Sequence, residues 1–197
     1  FVDKIKDARL RQYLVGATSP PDVYVYEGKM PNITGSVAFG MRDIRSKTLK
    51  ALISSLLSAQ IYSQLLTKVK KSLFFIDEMW LFTEIPSLMN LINNLSKRGR
   101  KYGNCTLVIT QRVEDVVKTE AGRSVLEQAS TSLIFRHEPE SLNVLKDVFK
   151  LNPSILEFIS KAPVGVCLFK TAGQKLKLRV KPTEEELEMF STTPVRG

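Results

Sequence analysis

The sequence predicts an α/β domain whose mostly parallel sheet is flanked by helices and followed by a C-terminal β-hairpin. Two apolar runs, SLFFID (72–77) and CTLVITQ (105–111), show no alternation of apolar and polar residues, which is typical of strands covered on both faces. Helical segments lie between such runs, as in parallel sheets. The segment GVCLFKTAGQKLKLRV (165–180) contains two strand-like runs around the turn TAGQ and therefore predicts the hairpin.

The first third of the chain is predicted to form a short helix, two strands and one long helix. The short helix covers about 3–14 and ends before GATSPP. The segments DVYVYEG (22–28) and SVAFGMRDI (36–44) are strand candidates. In the long helix, about 47–70, apolar side chains recur at steps of three and four and should share one face. These side chains are Leu49, Leu52, Ile53, Leu56, Leu57, Ile61, Leu65, Leu66 and Val69.

The segment after the first apolar run is predicted to form a helix over about 85–101, ending in KRGRKYGN. Its basic end complements the carbonyl end of the helix dipole, and Gly103 can stop the helix. The remaining predicted elements are a helix around 119–129, the strand TSLIFR (131–136), helices around 139–149 and 153–160, and a short acidic helix or unstructured tail after 183.

The composition is that of a soluble globular domain. The 197 residues are 43% hydrophobic and 25% charged, enough to bury a core in one large domain. No apolar run approaches the roughly 18 residues of a membrane span, and the charged N-terminus is no signal peptide. The chain does not begin with Met, which favours a piece of a longer protein.

Basic residues exceed acidic ones, and the net charge of +9 suits a polyanionic partner such as nucleic acid, a nucleotide or an anionic membrane surface. The same balance occurs in proteins that bind none of these. The alternating segment KLKLRVK (175–181) shows this ambiguity. Its basic face fits either a polyanion contact or a half-buried edge strand protected by charges.

The two cysteines, Cys105 and Cys167, lie inside strand-like runs and are predicted to be buried free thiols. The chain has one His and no CxxC, so the sequence excludes a zinc site. Nothing in the sequence supports covalent catalysis, because neither cysteine has a neighbouring His.

Polar side chains follow both apolar strands where ligands bind in doubly wound domains. Asp77 and Glu78 end the first strand, and Thr110 and Gln111 end the second. If the strands are neighbours, these groups converge in a site for nucleoside triphosphate hydrolysis. Asp77 would hold Mg²⁺ through a water, and Glu78 would orient the attacking water or accept its proton. Gln111 would sense the terminal phosphate or position that water.

Two simpler interpretations remain open for this region. Strands often end in acids that lead into a solvated loop, which explains Asp77 and Glu78 without a ligand. Trp80 and Phe82, which follow the acids, either pack on the next helix or stack near a base.

Three segments together resemble the ATPases of type IV secretion and conjugation machines, the TraC-like energising subunits of the HerA–FtsK superfamily. The segments are SLFFIDEMWLF (72–82), LINNLSKRGRKYGNCTLVITQRVEDV (91–116) and GRSVLEQASTSLIFRHEPES (122–141). The resemblance extends from about residue 25 to residue 169. The order and spacing of the three segments are more specific to this family than any one segment alone.

The resemblance implies a RecA-like P-loop NTPase core that uses ATP and Mg²⁺. It also implies a hexameric ring at the cytoplasmic face of the cell membrane, bound to other secretion-channel subunits and powering pilus assembly or export of protein or DNA. Such rings complete each site with an arginine from the neighbouring subunit. Arg98, Arg100 and Arg123 are the candidates, with Arg100 and Arg123 preferred. Helix capping or plain solvation explains the same residues.

The chain departs from this family pattern in one respect: no G-x-x-x-x-G-K-[ST] phosphate loop occurs in it. We therefore expect the C-terminal portion of such an ATPase, with 1–20 as the end of a helical insertion, 21–182 as part of the RecA-like domain and 183–197 as an acidic tail. The alternatives are a DNA-translocating motor of the same superfamily and an interaction module that has lost its phosphate loop.

Overall fold

The computed structural model describes residues 6–8, 35–41, 44, 46–67 and 71–190. Two single-turn 3₁₀ helices, Met79–Phe82 and Gly99–Tyr102, connect larger elements. In chain order, the helices and strands are α1 (Lys47–Thr67), β1 (Ser72–Ile76), α2 (Pro86–Arg98), β2 (Asn104–Val108), α3 (Val113–Val117), α4 (Glu120–Glu127), β3 (Thr131–Ile134), α5 (Pro139–Phe149), α6 (Pro153–Lys161), β4 (Val166–Thr171), β5 (Lys175–Arg179) and α7 (Glu184–Phe190).

The strands form one parallel pair and one antiparallel sheet. β1 runs parallel to β2, with Ser72 opposite Asn104 and Ile76 opposite Val108. β4 and β5 form the expected hairpin, and β3 joins β4 antiparallel. The predicted α/β class is confirmed, and the two apolar strands are parallel neighbours, which was the condition for their polar ends to converge. Parallel pairing does not extend to β3, whose partner is the hairpin.

Most predicted elements after residue 46 are present, but one helix there was not predicted, and a strand predicted before residue 46 is absent from the described residues. The short helix α3 follows β2 almost directly and was not predicted. The strand predicted over 36–44 is wrong for residues 36–41, which are not in a strand. Val37 and Phe39 are exposed there, and no strand among the described residues pairs with this segment. The strand predicted over 22–28 and most of the helix predicted over 3–14 lie outside the described residues.

The main core lies where β1, β2, α2 and the following helices meet. Met79, Ile92, Val116 and Ile159 are fully buried in it. Burying such a side chain contributes about 1.5–3 kcal/mol to stability, so these contacts hold the turn after β1 in place. Thr119 caps α4, where its hydroxyl accepts a hydrogen bond from the Gly122 N–H at 3.1 Å.

Helix α1 contacts the rest of the domain differently from the prediction. The most buried positions of α1 among the side chains described are Ser54, Ser58 and Ile61, spaced by four and three residues. Ile61 packs with Leu91 and Leu95 of α2. Of the predicted apolar positions, Leu49, Leu52, Ile53, Leu56 and Leu57 are only partly buried, and the small side chains of Ser54 and Ser58 are more buried than these.

The prediction that β1 and β2 are covered on both faces is wrong for the described residues. Phe74, Ile76 and Val108 face the core, where α2 contributes Met89 and Ile92. The described helices that pack on these two strands do so on that face, and no described element covers the other face. The exposed apolar side chains of the other face are Leu73 (64% exposed), Phe75 (52%), Leu107 (46%) and Ile109 (43%).

The two cysteines differ in burial, as the two faces of the β1–β2 pair do. Cys105 lies opposite Leu73 in the ladder and is exposed, so its predicted burial is wrong. Cys167 is a fully buried free thiol, as predicted, and desolvation raises its pKa.

Thiol labelling is expected to separate the two cysteines. A raised pKa leaves less of the reactive thiolate at neutral pH, and burial blocks the reagent, so Cys167 should react slowly. A chromogenic disulfide reagent should therefore modify one thiol per native chain rapidly and both in urea. Cys105→Ser should remove the rapid phase, whereas Cys167→Ser should keep it. Rapid modification of both thiols in the native chain would contradict this burial pattern.

Candidate active site at the carboxyl ends of the parallel strands

Backbone hydrogen bonds continue the parallel ladder beyond the ends of β1 and β2. The Ile109 N–H donates to the Ile76 carbonyl at 2.8 Å, and the Met79 N–H donates to the Ile109 carbonyl at 2.9 Å. The chain between Ile76 and Met79 is thereby held beside the residues that follow Ile109. Because the strands run in the same direction, the polar residues after each lie at one edge of the sheet.

The side chains of Glu78 and Gln111 meet at this edge. The Gln111 Nε2 donates to Glu78 Oε1 at 2.7 Å, although 33 positions separate the two residues in the chain. The other carboxylate oxygen, Oε2, accepts a hydrogen bond from the indole Nε1 of Trp80 at 2.6 Å. The predicted convergence of Glu78 and Gln111 is observed, and the indole contact was not anticipated.

The backbone of Glu78 has an uncommon conformation. Its φ of 49° and ψ of 51° lie in the left-handed region, which costs about 1–2 kcal/mol for a residue with a Cβ. Its carbonyl accepts a hydrogen bond from the Leu81 N–H at 2.9 Å, which starts the 3₁₀ turn. The buried Met79 anchors this turn in the core. Packing thus maintains a bend that directs the Glu78 carboxylate towards Gln111.

Asp77 is exposed at the same edge, and its Oδ1 accepts a hydrogen bond from the Glu78 N–H at 2.9 Å. Among residues 71–190 and the shorter described ranges, no group of three or more His, Cys, Asp or Glu side chains comes together. Magnesium commonly binds through one or two carboxylates, with waters and phosphate oxygens completing its coordination. A single exposed carboxylate fits that arrangement.

Arg112, which the sequence reasoning missed, completes a charged network beside the site. Its guanidinium lies 5.2 Å from the centre of the Trp80 ring, and its Nε is 3.0 Å from Asp115 Oδ2. Lys118 contacts the other oxygen of Asp115 at 2.5 Å. The Lys118 hydrogen bond, with the Arg112 charge, lowers the pKa of Asp115. A sequence signal for Arg112 did exist: it is a basic residue directly after the end of an apolar strand, three positions before Asp115.

Arg100, one of the predicted arginines, lies away from Glu78 of its own chain. Arg100 is exposed in the turn before β2, at the opposite edge, where the Ser72 N–H donates to the Gly103 carbonyl at 3.3 Å. Strand β2, Asn104–Val108, spans roughly 16 Å at about 3.3 Å per residue, and this length separates Arg100 from the edge that carries Glu78. Arg123 is on α4, with its Nη1 3.6 Å from Glu127 Oε1. Arg98 is exposed at the end of α2.

Comparison with known proteins agrees with this fold. Residues 34–190 match the model of the AAA-like domain. The structure is similar to that of VirB4 of Thermoanaerobacter pseudethanolicus, with a TM-score of 0.76 and 21% identity, over 91% of this chain and 50% of that chain. The chain thus spans about half the length of this solved relative. No curated protein sequence matches it. The predicted RecA-like α/β fold is confirmed.

Proposed function

The chain belongs to the AAA-like domain family, and on that premise we propose that it is part of an ATP-hydrolysing motor that powers type IV secretion or conjugative transfer. The observation that carries the proposal is the 2.7 Å contact between Glu78 and Gln111 across the ends of neighbouring parallel strands. The order of the motifs and the similarity to VirB4 support a secretion motor over other kinds of ATPase. A strand that simply ends in a solvated loop would explain Asp77 and Glu78. It would not explain why the Gln111 carboxamide pairs with Glu78.

In this proposal each polar group at the sheet edge has a separate role. The Asp77 carboxylate holds Mg²⁺ through a water, and the bound ion would neutralise charge on the phosphates. Glu78 orients the attacking water or accepts its proton. Gln111 senses the terminal phosphate or positions the same water, and the exposure of its side chain supports this role.

We further propose that the motor works as a ring, with six subunits as the resemblance implies. Arg100 or Arg123 would then reach the site of the neighbouring subunit. The position of Arg100 at the opposite sheet edge supports action between subunits, because it is too far from Glu78 of its own chain. The partners would be other secretion-channel subunits at the cytoplasmic face of the membrane. Within the described residues, no helix has the length and hydrophobicity needed to cross a membrane.

The proposal places the phosphate loop outside these 197 residues, since the motif does not occur among them. The 197-residue chain alone is therefore expected to bind Mg-ATP weakly, because backbone amides of that loop supply most phosphate contacts. Calorimetry with Mg-ATP should show no saturable micromolar binding to this chain. The complete gene product provides the comparison, and micromolar affinity of the 197-residue chain would contradict the proposed division.

A DNA-translocating motor is the second candidate, and strand β5 favours it. Among the described strands, β5 lies at the edge of its sheet and is exposed along its whole length, with Lys175, Lys177 and Arg179 on one face. Leu176 and Leu178 on the other face are 50% and 40% exposed, so the polyanion contact and the half-buried edge strand both stay open. Part of the basic face packs locally, because the Lys177 Nζ lies 4.6 Å from the centre of the Phe158 ring.

The experiment that tests the proposed function is the Mg-ATPase rate of the complete gene product, measured with and without DNA at two salt concentrations. Turnover that is indifferent to DNA supports the secretion motor. Stimulation by DNA that falls steeply with added salt supports the translocating motor, because salt competes with phosphate contacts. Absence of any turnover would overturn both and leave the interaction module.

A further inference from the structure

We propose that Trp80 is a positioning residue for Glu78, and that its indole N–H keeps the carboxylate in the orientation needed to act on water. This inference rests on the proposed function, since it assigns Trp80 a part in the same site. Trp80 does not contact the reacting atoms in this proposal. It acts through the Glu78 carboxylate, which it holds at 2.6 Å.

The two donors around Glu78 restrict its carboxylate more than either would alone. Gln111 contacts Oε1 and Trp80 contacts Oε2, so rotation of the carboxylate breaks at least one bond. Both bonds have an ionised acceptor, and such bonds are roughly twice as strong as neutral ones. A catalytic group must be held close to its productive geometry, since a displacement of about 1 Å costs roughly 100-fold in rate.

The two donors are not equivalent. Gln111 is exposed, and sensing the terminal phosphate, one of its two proposed roles, takes its amide away from Glu78. The indole of Trp80 is half-buried and can only donate. Trp80 therefore remains the donor that holds Glu78 when Gln111 turns towards the nucleotide.

Trp80 is itself supported from both strands, through its backbone on the β1 side and through its ring on the β2 side. On the β1 side, the Trp80 carbonyl accepts a hydrogen bond from the Thr83 hydroxyl at 2.8 Å, which closes the 3₁₀ turn. On the β2 side, the Arg112 guanidinium lies over the ring at 5.2 Å, and Asp115 holds Arg112 at 3.0 Å. Such a cation over an indole contributes about 0.5–1 kcal/mol at an exposed site. Trp80 thus links the segments that follow both strands.

The contact can be tested without activity, because Trp80 is the only tryptophan of the 197-residue chain. Its indole N–H should give one signal in a nitrogen–proton correlation spectrum, shifted downfield by the carboxylate. Glu78→Ala should move this signal to the position of a free indole. Phe82→Leu is the matched control, since Phe82 lies in the same turn and has no donor for Glu78. An indole signal that Glu78→Ala leaves unchanged would overturn the inference.

The positioning role is tested by the kinetics of the complete gene product. Trp80→Phe keeps an aromatic ring under Arg112 but lacks the N–H donor that Glu78 uses. The kcat should fall about tenfold or more, while the KM for ATP changes by less than about twofold. Phe82→Leu should leave both near wild type. A Trp80→Phe enzyme with wild-type kcat, alongside an inactive Glu78→Gln enzyme, would overturn this inference and leave the proposed function intact.

Discussion

Replacing Glu78 with Gln is expected to abolish ATP turnover by the complete gene product while its fold and Mg-ATP affinity stay near wild type. Gln has almost the same shape as Glu and keeps an oxygen that accepts a hydrogen bond from Trp80 or Gln111. It cannot accept a proton from water, and loss of a general base typically costs about 10²–10⁴-fold in rate. Phosphate release at saturating Mg-ATP measures the effect.

Glu84→Gln is the matched control for this substitution. Glu84 is an exposed acid six residues further along the chain, and its carboxylate pairs with Lys47 at 3.5 Å rather than with the site. The control should retain full turnover, since an exposed ion pair of this kind contributes little. Full turnover by the Glu78→Gln enzyme would remove the role that we give to Glu78.

The second large effect is expected from Gly122→Ala, which should destabilise the domain. A Cβ at Gly122 would lie 2.1 Å from the Val116 carbonyl oxygen and 2.9 Å from the Thr119 hydroxyl. The first of these atoms belongs to the backbone of α3, so a side-chain movement cannot relieve the clash. We expect a loss of about 3 kcal/mol or more in the free energy of unfolding, against a gain of up to about 1 kcal/mol in helix propensity.

Urea denaturation of the chain, followed by circular dichroism, measures this loss. Gly173→Ala is the control, because a Cβ at Gly173 would meet no atom within 4 Å. It should leave the midpoint close to wild type. A Gly122→Ala chain as stable as the Gly173→Ala control would show that α3 and α4 are further apart than the structure has them. Arg123 follows Gly122, so relief of the clash would also displace this candidate arginine.

The position of the site was predictable because strand ends carry a strong local signal. One apolar run stops at Asp77 and Glu78, and another stops at Thr110 and Gln111. If the two runs are neighbouring strands of a parallel sheet, their polar ends lie at the same edge. The backbone bonds through Ile109 bear out that placement. The roles of these residues in hydrolysis stay predictions.

The Trp80 contact was not predictable, because it depends on a bend that no local rule indicates. Residues two apart in a strand point to the same face, and in a helix they do not face each other. The left-handed backbone at Glu78 and the 3₁₀ turn after it bring the indole back to the carboxylate. Arg112 was missed for a related reason, since its contact with Trp80 crosses between two strands.

The sequence by itself determined the fold class and the hairpin, and it predicted that Glu78 would meet Gln111 if the two apolar strands were neighbours. These follow from periodicity and strand order, which are local properties of the chain. Only the tertiary structure decided that β3 pairs antiparallel with the hairpin, that one face of β1 and β2 is exposed, and that Trp80 and Arg112 surround Glu78. Apolar character shows that a side chain can be buried, whereas packing between distant segments decides which side chains are covered and which polar groups meet.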